Sequence, residues 1–129
     1  MPAILLVDND SLVRNSLCRA LGAEALQVTA ARGVKDALDY LFRHTPDLVI
    51  MDMCMAPLAG WDLIAHLRSR HPALPIFLIT ALPRSLVGED IREIAAYFKK
   101  PFDLAALIMA IQRQLGQSGS GHGSSPLPP

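Results

Sequence analysis

Four short apolar runs in this chain each end on polar residues of a particular kind. Ile4-Leu5-Leu6-Val7 leads into Asp8-Asn9-Asp10, and Leu48-Val49-Ile50-Met51 into Asp52. Ile76-Phe77-Leu78-Ile79 leads into Thr80, and Tyr97-Phe98 into Lys99-Lys100-Pro101. The longer runs are apolar throughout instead of alternating. That pattern suits strands buried on both faces of a parallel sheet with helices on either side. If the runs are parallel strands of one sheet, their carboxyl ends lie together, at the crevice where open α/β sheets bind ligands.

The segments between the runs have helical spacing. Leu12, Leu17, Ala20 and Leu21 recur on one face and end at Gly22, which suits a residue just past a helix end. A second strand is expected over Leu26 to Ala30, followed by a helix with Val34, Ala37, Leu38 and Leu41 that closes at His44-Thr45-Pro46. After Asp52 comes a loop containing Pro57 and Gly60, then a helix opened by Trp61 and stopped before Pro72. Residues 81–96 are interrupted by Pro83 and Gly88, and only Glu89 to Ala96 has helical spacing. Asp103 is placed to cap a last helix with Leu104, Leu107, Ile108, Ile111 and Leu115 on one face. Five βα units result, an α/β domain over residues 1–116. Residues 117–129, rich in Gly, Ser and Pro, are expected to be a disordered tail or linker.

A chain of 129 residues makes one domain, and 51% hydrophobic residues build its core without staples. Formal net charge is zero, so no global field draws in nucleic acid, and direct DNA binding by this segment is not expected. Cys18 and Cys54 stand outside any CxxC pair, which excludes a zinc signature and suits two reduced thiols. No apolar stretch approaches the ~20 residues that span a bilayer. The start of the chain has no signal-peptide pattern. A cytoplasmic protein without membrane contact is expected.

At the strand ends, Asp8, Asn9 and Asp52 offer oxygen ligands for Mg²⁺, a hard ion that takes few protein ligands and keeps several waters. Thr80 can donate to a phosphoryl oxygen, and Lys100 can pair with another as a point charge. Asp10 suits the cap of the first helix better than the metal. Trp61 is expected to pack. His44, His66 and His71 follow no ligand spacing, and Arg68, Arg70 and His71 suit a solvated helix end.

With these motifs in place, the chain resembles the receiver domain of two-component response regulators over residues 3–116. The resemblance rests on Val7-Asp8-Asn9-Asp10, Asp47-Leu48-Val49-Ile50-Met51-Asp52, Met55, Gly60, Ile79-Thr80-Ala81 and Tyr97-Phe98-Lys99-Lys100-Pro101-Phe102. It implies a flavodoxin-like (βα)5 fold with strand order 2-1-3-4-5. It implies a signalling phosphoacceptor instead of an ordinary enzyme. Asp52 would take a phosphoryl group from a sensor histidine kinase, a phosphotransfer protein or a small phosphodonor. Asp8, Asn9, Asp52 and the Cys54 backbone carbonyl would hold Mg²⁺, while Thr80 and Lys100 would hold the phosphoryl oxygens. Tyr97 would report the phosphorylated state together with Thr80. The face formed by the fourth helix, fifth strand and last helix would bind a second copy or an output partner. A further effector domain is the other route of output.

The chain departs from the family pattern at several places. Asn9 replaces an acid, which is expected to weaken Mg²⁺ binding. Ala56 precedes Pro57 where the proline is expected, Ala59 replaces an acid or amide, and Ala95-Ala96 replaces a Gly-Ala step. Cys54 and Leu82 are apolar where many relatives place an attacking water, so slow loss of the phosphoryl group is expected. Two alternatives stay open: a receiver-like module that is never phosphorylated, and a haloacid-dehalogenase-type phosphatase with Asp8 as nucleophile.

Overall fold

A computed structural model of the chain describes residues 1–52, 57–81 and 94–119. In chain order the elements are β1 (Ala3–Val7), α1 (Ser11–Gly22), β2 (Gln27–Ala31), α2 (Val34–Arg43), β3 (Leu48–Met51), α3 (Pro57–Arg70), β4 (Ile76–Thr80), β5 (Ala96–Lys99) and a last helix, α4 (Leu104–Gly119). The strands form one sheet in the order β2-β1-β3-β4-β5, and every pairing is parallel.

Side chains alternate between the two faces of a strand. The unbroken apolar runs therefore divide into two cores. Leu5, Val7, Val49, Met51, Ile76 and Leu78 pack with residues of α2 and α3 on one face. Ile4, Leu6, Leu48, Ile50, Phe77 and Ile79 pack with α1 and α4 on the other. Leu17 and Leu21 of α1, and Leu107, Ile111 and Leu115 of α4, are the helical residues buried on that second side. Trp61 packs against the first core, as expected. Among the described residues no helix is long and apolar enough to cross a membrane.

Several boundaries differ from the pattern-based expectation. β2 is Gln27–Ala31 because its register sets Gln27 opposite Ala3 and Ala31 opposite Val7. Gly22 is the last residue of α1 and does not make the turn. Ala23 caps the helix in a right-handed conformation, and the left-handed position falls on Ala25, at φ 63°. Leu12, expected on the buried face, is 76% exposed in the first turn of α1. Pro57 and Gly60 belong to α3 and not to a loop. A proline fits the first helical position, where its missing N–H would have had no intrahelical acceptor. β4 takes in Thr80, and β5 runs from Ala96 to Lys99.

Arg68 is more than a solvated helix end. Its Nη1 donates to the carbonyls of His71 (3.3 Å), Pro72 (3.4 Å) and Leu74 (2.7 Å), tying α3 to the turn that feeds β4. Asp103 caps α4 as expected, its Oδ1 accepting from the N–H groups of Ala105 and Ala106. α4 continues to Gly119, past the expected domain end at residue 116. The expected helix near residues 89–96 lies mostly outside the described residues. Cys54, Ala56, Leu82 and residues 120–129 lie outside them as well.

Candidate functional site at the carboxyl ends of the strands

The sheet's own hydrogen bonds carry the two aspartates past the ends of their strands. Asp8 N–H donates to Ala31 O at 3.0 Å, and Asp52 N–H donates to Val7 O at 3.0 Å. Both residues thus continue the ladder and emerge side by side, because β1 and β3 are neighbours. Both are buried, Asp8 at 0% and Asp52 at 3% exposure.

Lys100 arrives from the far end of the chain. Its N–H donates to Thr80 O at 2.8 Å, so the backbone follows β4 one residue beyond β5. Its Nζ then reaches Asp8 Oδ2 at 2.9 Å and Asp52 Oδ2 at 2.7 Å. Burial acts to lower the Lys100 pKa, but the hydrogen bonds and charges of Asp52 and Asp8 outweigh it and hold the ammonium above its ordinary value. The neighbouring Lys99 is exposed, so of the two lysines it is Lys100 that enters the site.

Asp8 is restrained at further points. Its Oδ1 accepts the Asp10 N–H at 2.9 Å. Its backbone carbonyl accepts Arg14 Nη1 at 2.9 Å. Asp10 itself caps α1, its Oδ1 accepting from Leu12 N–H (2.9 Å) and Val13 N–H (3.4 Å). The capping role expected for Asp10 is the one the structure shows. The contribution of Arg14 was not legible in the sequence, where the only hint is a cation one turn into the helix that follows the acidic cluster.

The remaining candidates surround this triad. Thr80 is fully buried at the end of β4. Tyr97 pairs in register with Leu78, two residues earlier on the same face of the sheet as Thr80, and is half-buried against the core under α3. Asn9 is exposed at the rim beside Asp8. The Cys54 carbonyl lies outside the described residues.

Among the described residues, two carboxylates that are themselves buried face one ammonium. Carboxylate and amide oxygens at this spot fit a hard divalent cation that completes its shell with water. Among the described residues no group of three or more His, Cys, Asp or Glu side chains gathers in the manner of a fully protein-ligated metal. Beside Lys100, on the α1 side, lies an open apolar groove of about 630 Å³ lined by Leu12, Val13, Leu17, Pro101, Phe102 and Leu104.

Known proteins share this architecture. The sequence model of the response regulator receiver domain matches residues 4–112. The response regulator MprA of Mycobacterium sp. (strain KMS) is 35% identical over 124 residues, covering 93% of this chain and 53% of that protein. The chain thus spans about half the length of the curated relatives it matches. The signal receiver domain of an HD domain-containing protein from Pseudomonas fluorescens Pf-5 superimposes with a TM-score of 0.83 at 30% identity, covering 92% of this chain and 98% of that one. Response regulator TrrA from Thermotoga maritima, solved in complex with Mg²⁺–BeF, gives 0.80 at 26% identity, covering 89% of this chain and 100% of that one. TrrA has also been solved in complex with the histidine kinase ThkA, and there gives 0.79 over 89% of this chain and 99% of its own. By fold, by strand order and by sequence, this chain belongs to the response regulator receiver domain family of two-component signalling, with its flavodoxin-like architecture.

Proposed function

We propose that Asp52 accepts a phosphoryl group from the phosphohistidine of a sensor histidine kinase or phosphotransfer protein, or from a small phosphodonor. The observation that carries this is the single ammonium of Lys100 shared by buried Asp8 and Asp52. An Asp52 carboxylate oxygen attacks phosphorus. The new P–O bond forms as the bond from phosphorus to the leaving group breaks, P–N in a phosphohistidine or P–O in an acyl phosphate, and the electron pair leaves with the imidazole or the carboxylate. Asp8, Asn9 and Asp52 would hold Mg²⁺, with the Cys54 backbone carbonyl as a further ligand. Bound there, the ion would supply charge neutralisation for the transferring oxygens. Lys100 exchanges part of its carboxylate pairing for a phosphoryl oxygen, and Thr80 donates its hydroxyl to another.

Recognition of the donor draws on the apolar groove beside Lys100. Leu12 is 76% exposed and Leu104 39% exposed at its edge, so an apolar side chain of the donor protein can seat within reach of the acceptor. That a histidine kinase binds the similar protein TrrA supports the same class of partner.

After transfer, Thr80 moves toward the phosphoryl group, and Tyr97, on the same face, follows. This is a shift of population between two arrangements. Output then passes through the surface over roughly residues 84–115, to a second copy, a partner protein or an effector domain. Residues 84–93 of that surface lie outside the described residues. We place the receiver domain at residues 1–116, with α4 running on to Gly119 and the Gly/Ser/Pro-rich segment as its tail or linker, and assign no DNA contact to it.

The test is intact-mass spectrometry after incubation with acetyl phosphate and Mg²⁺. The wild-type chain should gain one phosphoryl group and Asp52→Asn none. Incorporation that survives Asp52→Asn but not Asp8→Asn would make Asp8 the nucleophile. No incorporation into the wild type, with phosphohistidine donors failing as well, would leave a binding module.

A further inference from the structure

We propose that Arg14 is a positioning residue that sets the Asp8 carboxylate for the divalent cation, an inference that rests on the function proposed above. In a parallel pair the N–H and C=O of one residue point to the same neighbouring strand. Asp8 N–H is bonded to Ala31 O, and β2 ends at Ala31. The Asp8 carbonyl therefore faces the place where the ladder has run out. The Arg14 guanidinium takes that position at 2.9 Å, half-buried on α1. A charge-assisted hydrogen bond thus stands in for a missing ladder bond and extends the strand's geometry through the residue that carries the carboxylate.

The side chain is tied at both oxygens, but the two ties differ. Lys100 at Oδ2 is shared with Asp52 and is drawn on during phosphoryl transfer. The Asp10 N–H at Oδ1 and the Arg14 bond at the carbonyl belong to Asp8 alone, and both come from the segment that opens α1. With Asn9 at the rim in place of a second acid, the placement of Asp8 carries more of the cation site. A guanidinium near a cation site also repels the cation. If charge were its main effect, removing Arg14 would tighten binding. If positioning dominates, removal weakens it.

The experiment uses the full chain with Arg14→Gln and Arg14→Lys, followed by NMR. In metal-free protein, exchange of the Asp10 amide with water is measured against core amides such as Leu6 and Ile50. That amide reports whether Asp8 Oδ1 stays in place, and the core amides report any global loss of stability. Asp10 exchange should speed up by roughly 5-fold relative to the core in Arg14→Gln, as for loss of a typical hydrogen bond. In a Mg²⁺ titration, the Kd of Arg14→Gln should rise by about 10-fold, with Arg14→Lys recovering most of the loss. Unchanged Asp10 exchange, or tighter Mg²⁺ binding in Arg14→Gln, overturns the proposal. A wild-type chain that takes no Mg²⁺ refutes the function proposed above, while the Asp10 amide still decides the role of Arg14.

Discussion

Lys100→Met keeps an apolar stem of similar volume and removes the charge that Asp8 and Asp52 share. In the native chain Nζ stands 2.9 Å from Asp8 Oδ2 and 2.7 Å from Asp52 Oδ2. The two carboxylate side chains are 0% and 4% exposed, so water cannot replace the lost ammonium without rearrangement. Removing one partner of a buried pair costs ~3–5 kcal/mol. The variant should therefore lose about 3–5 kcal/mol at pH 7. Urea denaturation in EDTA, followed by circular dichroism, measures the difference from wild type. Saturating Mg²⁺ should stabilise the variant more than the wild type, because the ion supplies the missing positive charge. A loss under about 1 kcal/mol at pH 7 would refute the shared-ammonium argument. The Lys100 pKa is raised above its ordinary 10.5, so its contribution is whole below that value and is lost as pH rises through the raised pKa.

Three further variants probe other parts of the design. Asn9→Asp should tighten Mg²⁺ by roughly 10-fold in isothermal titration, since one more ligand charge joins Asp8 and Asp52, and unchanged affinity would place Asn9 outside the site. Ala25→Gly should raise stability by ~0.5–1 kcal/mol in urea denaturation, because relief of the left-handed strain exceeds the entropy that glycine adds to the unfolded chain; a destabilised variant would contradict the strain at φ 63°. Arg68→Ala should cost ~1–3 kcal/mol through the three carbonyls it leaves without their charged donor. A cost within about 0.5 kcal/mol would return Arg68 to the ordinary solvated surface.

Much of the sheet was legible in the chain. Ile4 to Val7, Leu48 to Met51 and Ile76 to Ile79 are each buried to 2% exposure or less, as apolar runs without alternation require. The cap at Asp103 was legible for a similar reason, since the acceptor and the N–H groups it serves are close neighbours in sequence. Boundaries that depend on distant packing were not. Whether Pro57 opens a helix or sits in a loop depends on how α3 docks, and the α1–β2 turn falls at Ala25 because the register of β2 against β1 sets its length. The strand order followed from family resemblance and not from hydrophobic pattern, which is the same for any order of five buried strands.

The site divides along the same line. Which residues stand at strand ends is a local property, set by where each apolar run stops, and Asp8, Asp52, Thr80 and Lys100 could be picked out that way. Which of them share a charge is not local. Lys100 lies 92 positions from Asp8 and 48 from Asp52, and the adjacent Lys99 is chemically identical. The parallel pairing of β4 with β5 leaves Lys99 exposed and brings Lys100 across the strand ends. Arg14 and Arg68 become structural only when a carbonyl without a ladder partner, or a turn that must be tied down, lies within reach of a guanidinium. That reach is a fact of three dimensions, because burial makes every unpaired polar group costly and only the folded chain decides which groups can pair.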